Sequence, residues 1–317
     1  MFSRRALLRP HSSLPAVPSL ESRVLLAGQV TASLRAGTLT ITGDRGDNQI
    51  TVLPGASGEL LVRETDGGQV NGSNDIVFSS ASVRNIVILG NQGNDVVVAF
   101  NLALRGNLSI DLGTGNNRAD VVDTKLAGRL TIDGGRNEDA VTVSGSTING
   151  AMNSNLGNGA NNFRFIGNNL LGVTRVITGS GDDRVLIDSS TTRVLTDVQT
   201  GSGQDTVLVD GSILNGDLSV ITGSEADEVE FTSSILVGKV SVDTGAGADE
   251  LRASNSSFSL NTQFNTGAGD DRINLSMNTF SGLLTLNGGL GTDRFVNISN
   301  TFEVGFKRLS IESEVSN

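Results

Sequence analysis

The chain of 317 residues contains no cysteine. Disulfides and thiolate metal centres are therefore excluded, and burial and hydrogen bonding must hold the fold together. Tryptophan and tyrosine are also absent, which removes the side chains that usually stack on sugar rings. The single histidine, His11, stands in the N-terminal tail, so the body has no imidazole for acid–base catalysis. Proline occurs 4 times against 40 glycines; turns are numerous and proline-rich linkers are not. Basic residues are outnumbered, 23 Lys and Arg to 34 Asp and Glu, giving a formal net charge of −11 and a pI near 4.6. That balance cannot neutralise phosphates, so nucleic acid is not an expected partner, whereas divalent cations are compatible with it. No apolar run is long enough to span a bilayer.

What the chain does have is a repeat. The stretch Thr178-Gly179-Ser180-Gly181-Asp182-Asp183-Arg184-Val185-Leu186-Ile187 reads as a glycine turn, an acidic residue and a strand with alternating apolar positions. With its second glycine as anchor, equivalent positions fall at Gly93, Gly115, Asn137, Gly159, Gly181, Gly203, Glu225, Gly247, Gly269 and Gly291, every interval being 22 residues. Two residues after the anchor stand Asp95, Asn117, Asp139, Asn161, Asp183, Asp205, Asp227, Asp249, Asp271 and Asp293. Asp and Asn make up roughly one residue in six, so ten matches in one column are not chance.

The apolar columns predict how each coil closes. Positions 4 and 6 after the anchor are apolar (Val185 and Ile187, Val207 and Val209), as are position 11 (Leu126, Leu170, Leu214, Phe258) and position 17 (Ile110, Val176, Val220, Phe264). Thr192 is the lone exception in the eleventh column. Three inward-facing segments separated by bends describe a three-sided coil whose strands pair with their equivalents above and below. The expected fold is all-β, a single-stranded parallel β-helix, right-handed by the rule for parallel crossovers. We divide the chain into an export-related segment, residues 1–28, an N-terminal cap with irregular first coils, 29–90, and a regular β-helix with a charged terminal coil, 91–317. A helical solenoid is excluded because the apolar spacing is two.

The polar columns invite chemistry. Thr124, Ser146, Asn168, Ser190 and their equivalents, nine after the anchor, suit hydrogen bonding along the rod. Glu250 and Arg272 fall on adjacent coils as a candidate surface pair. The acidic column, Asp95, Asp139, Asp183, Asp205, Asp227, Asp249, Asp271 and Asp293, would project from stacked turns about 4.8 Å apart, where carboxylates repel. Either each Asp accepts hydrogen bonds from the amides of its own turn, or a Ca2+ ion sits between turns. Gly181-Asp182-Asp183 and Gly269-Asp270-Asp271 superficially match the paired acids of β-helix polysaccharide hydrolases, but acid–base work needs one environment that departs from the repeat.

Three resemblances add to this reading. Leu20-Glu21-Ser22-Arg23-Val24-Leu25-Leu26-Ala27 resembles the LExRxLLA segment at the start of many large planctomycete surface and secreted proteins, which implies export to the cell surface or beyond. Gly288-Gly289-Leu290-Gly291-Thr292-Asp293-Arg294-Phe295 is similar to the calcium-binding nonapeptide of RTX-type proteins, which would make Asp293, Asp183 and their equivalents Ca2+ ligands. RTX repeats run every nine residues, however, and here one such turn occurs per 22. The coil as a whole resembles the right-handed β-helices of pectate lyases and surface adhesins. The expected protein is a non-catalytic, extracellular or cell-surface structural and adhesive element, requiring no cofactor and with Ca2+ as the candidate stiffener. The alternatives are a calcium-binding module and, third, a polysaccharide lyase or hydrolase. The expected partner is a surface or matrix component, and Glu303, Lys307, Arg308, Glu312 and Glu314 on the last coil favour a monomer by blunting its edge.

Overall fold

The computed structural model describes residues 28–316; the LExRxLLA segment, apart from its flanking Gly28, lies outside the described residues. Strand-forming alternation gives three sheets along the body, two of 14 strands and one of 10, parallel throughout the regular coils. In each regular coil a five-residue strand such as Arg184–Asp188 is followed by a two-residue strand such as Thr191–Thr192 and a third such as Thr196–Gln199. The register never slips: Val185 pairs with Val207 and Ile187 with Val209, each 22 residues on. The three-sided β-helix expected from the sequence is the observed architecture.

Burial follows the period of two. In Arg184–Asp188 only Val185 and Ile187 are buried. The inward columns join into one core along the axis. Towards its C-terminal end this core becomes aromatic: Phe258 stacks on Phe280 at a centroid separation of 4.6 Å, and Phe280 on Phe302 at 5.5 Å. Thr192 is buried among these apolar residues because Thr196, at the start of the next strand, donates to its hydroxyl at 3.2 Å.

The N-terminal cap is made of hairpins. Strands β1 (Gln29–Arg35) and β2 (Thr38–Thr42) pair antiparallel, as do β3 (Gln49–Pro54) and β4 (Glu59–Glu64). Strands β5 (Gln69–Val70) and β6 (Asp75–Ser79) complete the two long sheets at that end. The regular coils then begin with β7 (Asn85–Leu89), β8 (Val96–Phe100) and β9 (Ala103–Leu104), and β10 (Leu108–Asp111) stacks on β7 one coil later. The Glu64 carboxylate is buried in the cap, where it accepts the amides of Gln49, Asp66 and Gly68. Among the described residues the cap supplies strands to the two long sheets and none to the short one, whose first strand is β9.

The surface pair expected between Glu250 and Arg272 does not form. Glu250 instead accepts Arg252 at 2.5 Å and the Asn274 amide at 2.7 Å. Arg252 lies two residues along the same strand and so emerges on the same face, where it bridges Glu250 and Glu228.

Candidate functional site: the buried acidic ladder

The turn that carries the acidic column closes through glycines with positive φ. Gly179 and Gly181 have φ of 94° and 115°, and neighbouring turns stack so tightly that a Cβ on Gly181 would lie 2.6 Å from the Gly159 backbone. The residue two after the anchor is in phase with the apolar positions four and six after it, so its side chain turns inward. Asp95, Asp139, Asp183, Asp205, Asp227, Asp249, Asp271 and Asp293 are each no more than 3 % exposed. This corrects the expectation that they project from the turns.

The hydrogen-bond donor also differs from expectation. Each side chain accepts the backbone amide of the ladder residue one coil earlier, not an amide of its own turn. Asn161 N donates to Asp183 Oδ1 at 2.7 Å, Asp183 N to Asp205 Oδ1 at 2.8 Å and Asp205 N to Asp227 Oδ1 at 2.8 Å. Asp227, Asp249 and Asp271 continue the chain into Asp249, Asp271 and Asp293 at 2.8–3.0 Å. Asn48 starts it by donating to Asp95, and Glu312 ends it by accepting Asp293 N at 2.7 Å. The sequence reading missed Glu312 as the terminal member because it follows Asp293 by 19 residues and reaches the position with a longer side chain.

The second carboxyl oxygen carries the chemistry. Oδ2 of Asp95, Asp139, Asp183, Asp205, Asp227, Asp271 and Asp293 is buried without a hydrogen-bond partner. Asn161 shows what surrounds that position. Its Oδ1 accepts Asp139 N as its Asp equivalents do, and its Nδ2 donates to the carbonyls of Gly157, Gly159 and Thr178 at 3.2, 2.9 and 3.0 Å. In the aspartate coils a carboxyl oxygen takes the place of that NH2 among equivalent carbonyls. An ionised oxygen faces the negative ends of those carbonyl dipoles, whereas a protonated one can donate to them.

The acidities agree with that geometry. Burial pushes Asp95, Asp139, Asp183 and Asp271 up to about 6 and Asp227 to about 7. It raises Asp205, Asp249 and Asp293 in the same direction. The accepted backbone amides work against the rise without cancelling it. In five coils the residue five before the Asp is a buried threonine. Thr244 reaches Asp249 Oδ2 at 2.6 Å, and the others lie beside their carboxyls while donating to the next coil's carbonyl.

A Ca2+ ion takes six to eight oxygens at about 2.3–2.6 Å. Each ladder position offers one carboxyl oxygen and the surrounding carbonyls, since Oδ1 is committed to a backbone amide, and full burial keeps out the water that would complete a shell. Among the described residues no three Asp, Glu, His or Cys side chains converge. The ladder residues therefore do not fit a calcium ion. Nor do Asp182 and Asp183 form an acid–base pair: Asp182 is exposed and accepts Gln204 N at 2.8 Å, while Asp183 faces the core.

The column nine after the anchor is a second inward ladder, as expected from its hydroxyls and amides. Thr124 N donates to Ser146 Oγ at 3.0 Å, and Ser146 Oγ donates to the Ser144 carbonyl at 2.9 Å. The fold thus defines the class, an all-β parallel β-solenoid of 22-residue coils with two buried polar ladders. Comparison with protein-family models, with curated proteins and with solved structures finds no match.

Proposed function

We propose that the chain is a non-catalytic structural and adhesive rod that works at the cell surface or outside the cell. The observation that supports this is the commitment of the acidic column: each ladder side chain stitches one coil to the next, leaving no carboxylate of that column free for a substrate. The outer faces repeat with a spacing of about 4.8 Å and suit contact with an extended surface or matrix component. A calcium-binding module would need ladder oxygens open to an ion, and a polysaccharide lyase or hydrolase would need one carboxyl set apart from its equivalents.

Three measurements test the reading. Cell fractionation should find the chain in the envelope or medium; retention in the cytoplasm sinks the surface role. Millimolar Ca2+ and excess chelator should give the same Tm, because an ion that binds only the folded state at a hundred times its Kd would add about 2.7 kcal/mol. Incubation with polyuronates and neutral glycans should give no turnover. Turnover abolished by replacing Asp182 and Asp183, and kept when Asp205 is replaced, would establish the enzyme instead.

A further inference from the structure

We infer that the free edge of β9, with the cavity above it, is a docking slot for an extended peptide carrying an aliphatic side chain. The inference does not rest on the proposed function.

Every other strand of the short sheet receives a strand on its N-terminal side through the same two donors. In the next coil Lys125 N donates to Leu102 O at 2.7 Å and Ala127 N to Leu104 O at 3.0 Å. Further along, Ser257 N donates to Ser234 O at 2.9 Å and Ser259 N to Leu236 O at 2.8 Å. The equivalent donors on this edge are the amides of Ala103, in β9, and Arg105, the residue after it, 22 residues before Lys125 and Ala127. The cap brings no strand to them, and β9 pairs only with the strand on its C-terminal side among the described residues. Ala103 and Arg105 are exposed. Two donors two residues apart on one strand edge are the pattern that an added parallel strand satisfies.

The space above β9 fits such a strand. A cavity of about 290 Å3 lies between the β3–β4 loop and β9, bordered by Pro54, Leu60, Ser80, Val83, Leu102 and Leu104. Leu60, Val83, Leu102 and Leu104 present buried apolar walls. In the rest of the sheet an inward residue such as Leu236 sits in register over Phe258 of the next coil. An aliphatic residue of the docked segment would continue that column over Leu104. The occupant is therefore an extended segment of another polypeptide, bound by two backbone carbonyls and one Leu- or Ile-sized side chain, and this chemistry matches the contact already made at every later coil.

The probe is a capped, fluorescent peptide of residues 231–238, Phe-Thr-Ser-Ser-Ile-Leu-Val-Gly, whose Ser234 and Leu236 carbonyls already play this part inside the rod. With the full chain it should bind saturably and slow hydrogen exchange at the Ala103 and Arg105 amides by more than tenfold. Ala103→Pro removes one donor at an edge position that tolerates proline, and should weaken binding by about tenfold. The same peptide bearing Leu236→Asp should not bind, a test that needs no altered protein and holds if the proline variant fails to fold. The inference is overturned by absence of saturable binding, by binding that ignores Leu236→Asp, or by binding that leaves both amides exchanging freely. It is equally overturned if those amides are already protected in the full chain alone, because the slot would then be filled from within.

Discussion

Replacing Asp227 by Asn is expected to stabilise the rod in mild alkali and to change little in acid. The Asp227 carboxyl is held at about 7 against an ordinary 3.8, chiefly by burial, with the charges of Asp205 and Asp249 adding to the rise. A folded-state value above the unfolded one means that the stability linked to this proton is complete below about pH 4. It is lost as the pH climbs through 7, where the fold must either release the proton or carry it. The difference is about 3 units, or ~4 kcal/mol at its ceiling. Asparagine keeps the Oδ1 that accepts Asp205 N and turns an NH2 towards the carbonyls, as Asn161 does at 2.9–3.2 Å. Allowing for the share that depends on neighbouring charges, Asp227→Asn should gain ~2 kcal/mol at about pH 8, a rise in Tm of about 4 °C or more. Near pH 3.5 most of the gain should vanish, because both side chains then turn an acceptor to Asp205 N and a donor to the carbonyls, the amide with two N–H groups and the protonated carboxyl with one O–H. Thermal melts of the two proteins from about pH 3.5 to 8 measure this, with Asp182→Asn as the control for removing an exposed charge. A gain that is equal at both ends of the range, or matched by the control, refutes a protonated ladder.

The converse change, Asn161→Asp, should cost ~2 kcal/mol at about pH 8 and much less in acid, because buried Leu156 brings no hydroxyl to the new carboxyl; pH-dependent melting checks it. Gly269→Ala places a Cβ 1.5 Å from the Gly247 carbonyl oxygen at a φ of 148°, and should lower stability by ~3 kcal/mol or more in denaturant unfolding. Thr192→Val should cost ~1–2 kcal/mol by stranding the Thr196 hydroxyl, whereas Thr192→Val with Thr196→Val should return close to the parent, read from the same curves.

The architecture was legible because the period is strict: ten anchors at 22-residue intervals leave one way to stack the strands, and the register of Val185 with Val207 and Val229 follows. The cap was not, because β1–β4 run antiparallel and obey turn chemistry in place of the repeat, as at Ala36 and Gly37, both with positive φ. The ladder was found as a column and read with the wrong direction. The signal that would have corrected it is parity: Asp183 is in phase with Val185 and Ile187, and period-two alternation puts all three on one face. Aspartate's ordinary preference for solvent in a glycine turn overrode that phase. The Glu250–Arg272 pairing failed for a different reason, since register alone does not say which neighbour on a charged face a guanidinium will choose.

The internal repeats contain a comparison that bears on why the column tolerates both Asp and Asn. Asn117 and Asn161 are the two amides, and theirs are the two coils in which the residue five earlier is leucine, Leu112 and Leu156. In the remaining coils that residue is threonine or glycine, and the ladder residue is Asp. Oδ2 lies directly over this position: a Cβ added to Gly134 or Gly288 would fall 2.4 or 2.2 Å from Oδ2 of Asp139 or Asp293. Beside leucine the only groups facing the outer atom of the side chain are backbone carbonyls, so the side chain must bring its own donor, and an amide does so at any pH. Beside threonine the hydroxyl can give or take a hydrogen bond, so a carboxyl survives in either protonation state, though ionisation still costs it the carbonyl contacts. The two amides therefore stand where leucine crowds the turn and brings no donor; five of the eight carboxyls have a threonine hydroxyl beside them, and the other three, over Gly90, Gly134 and Gly288, have space there and no side-chain donor.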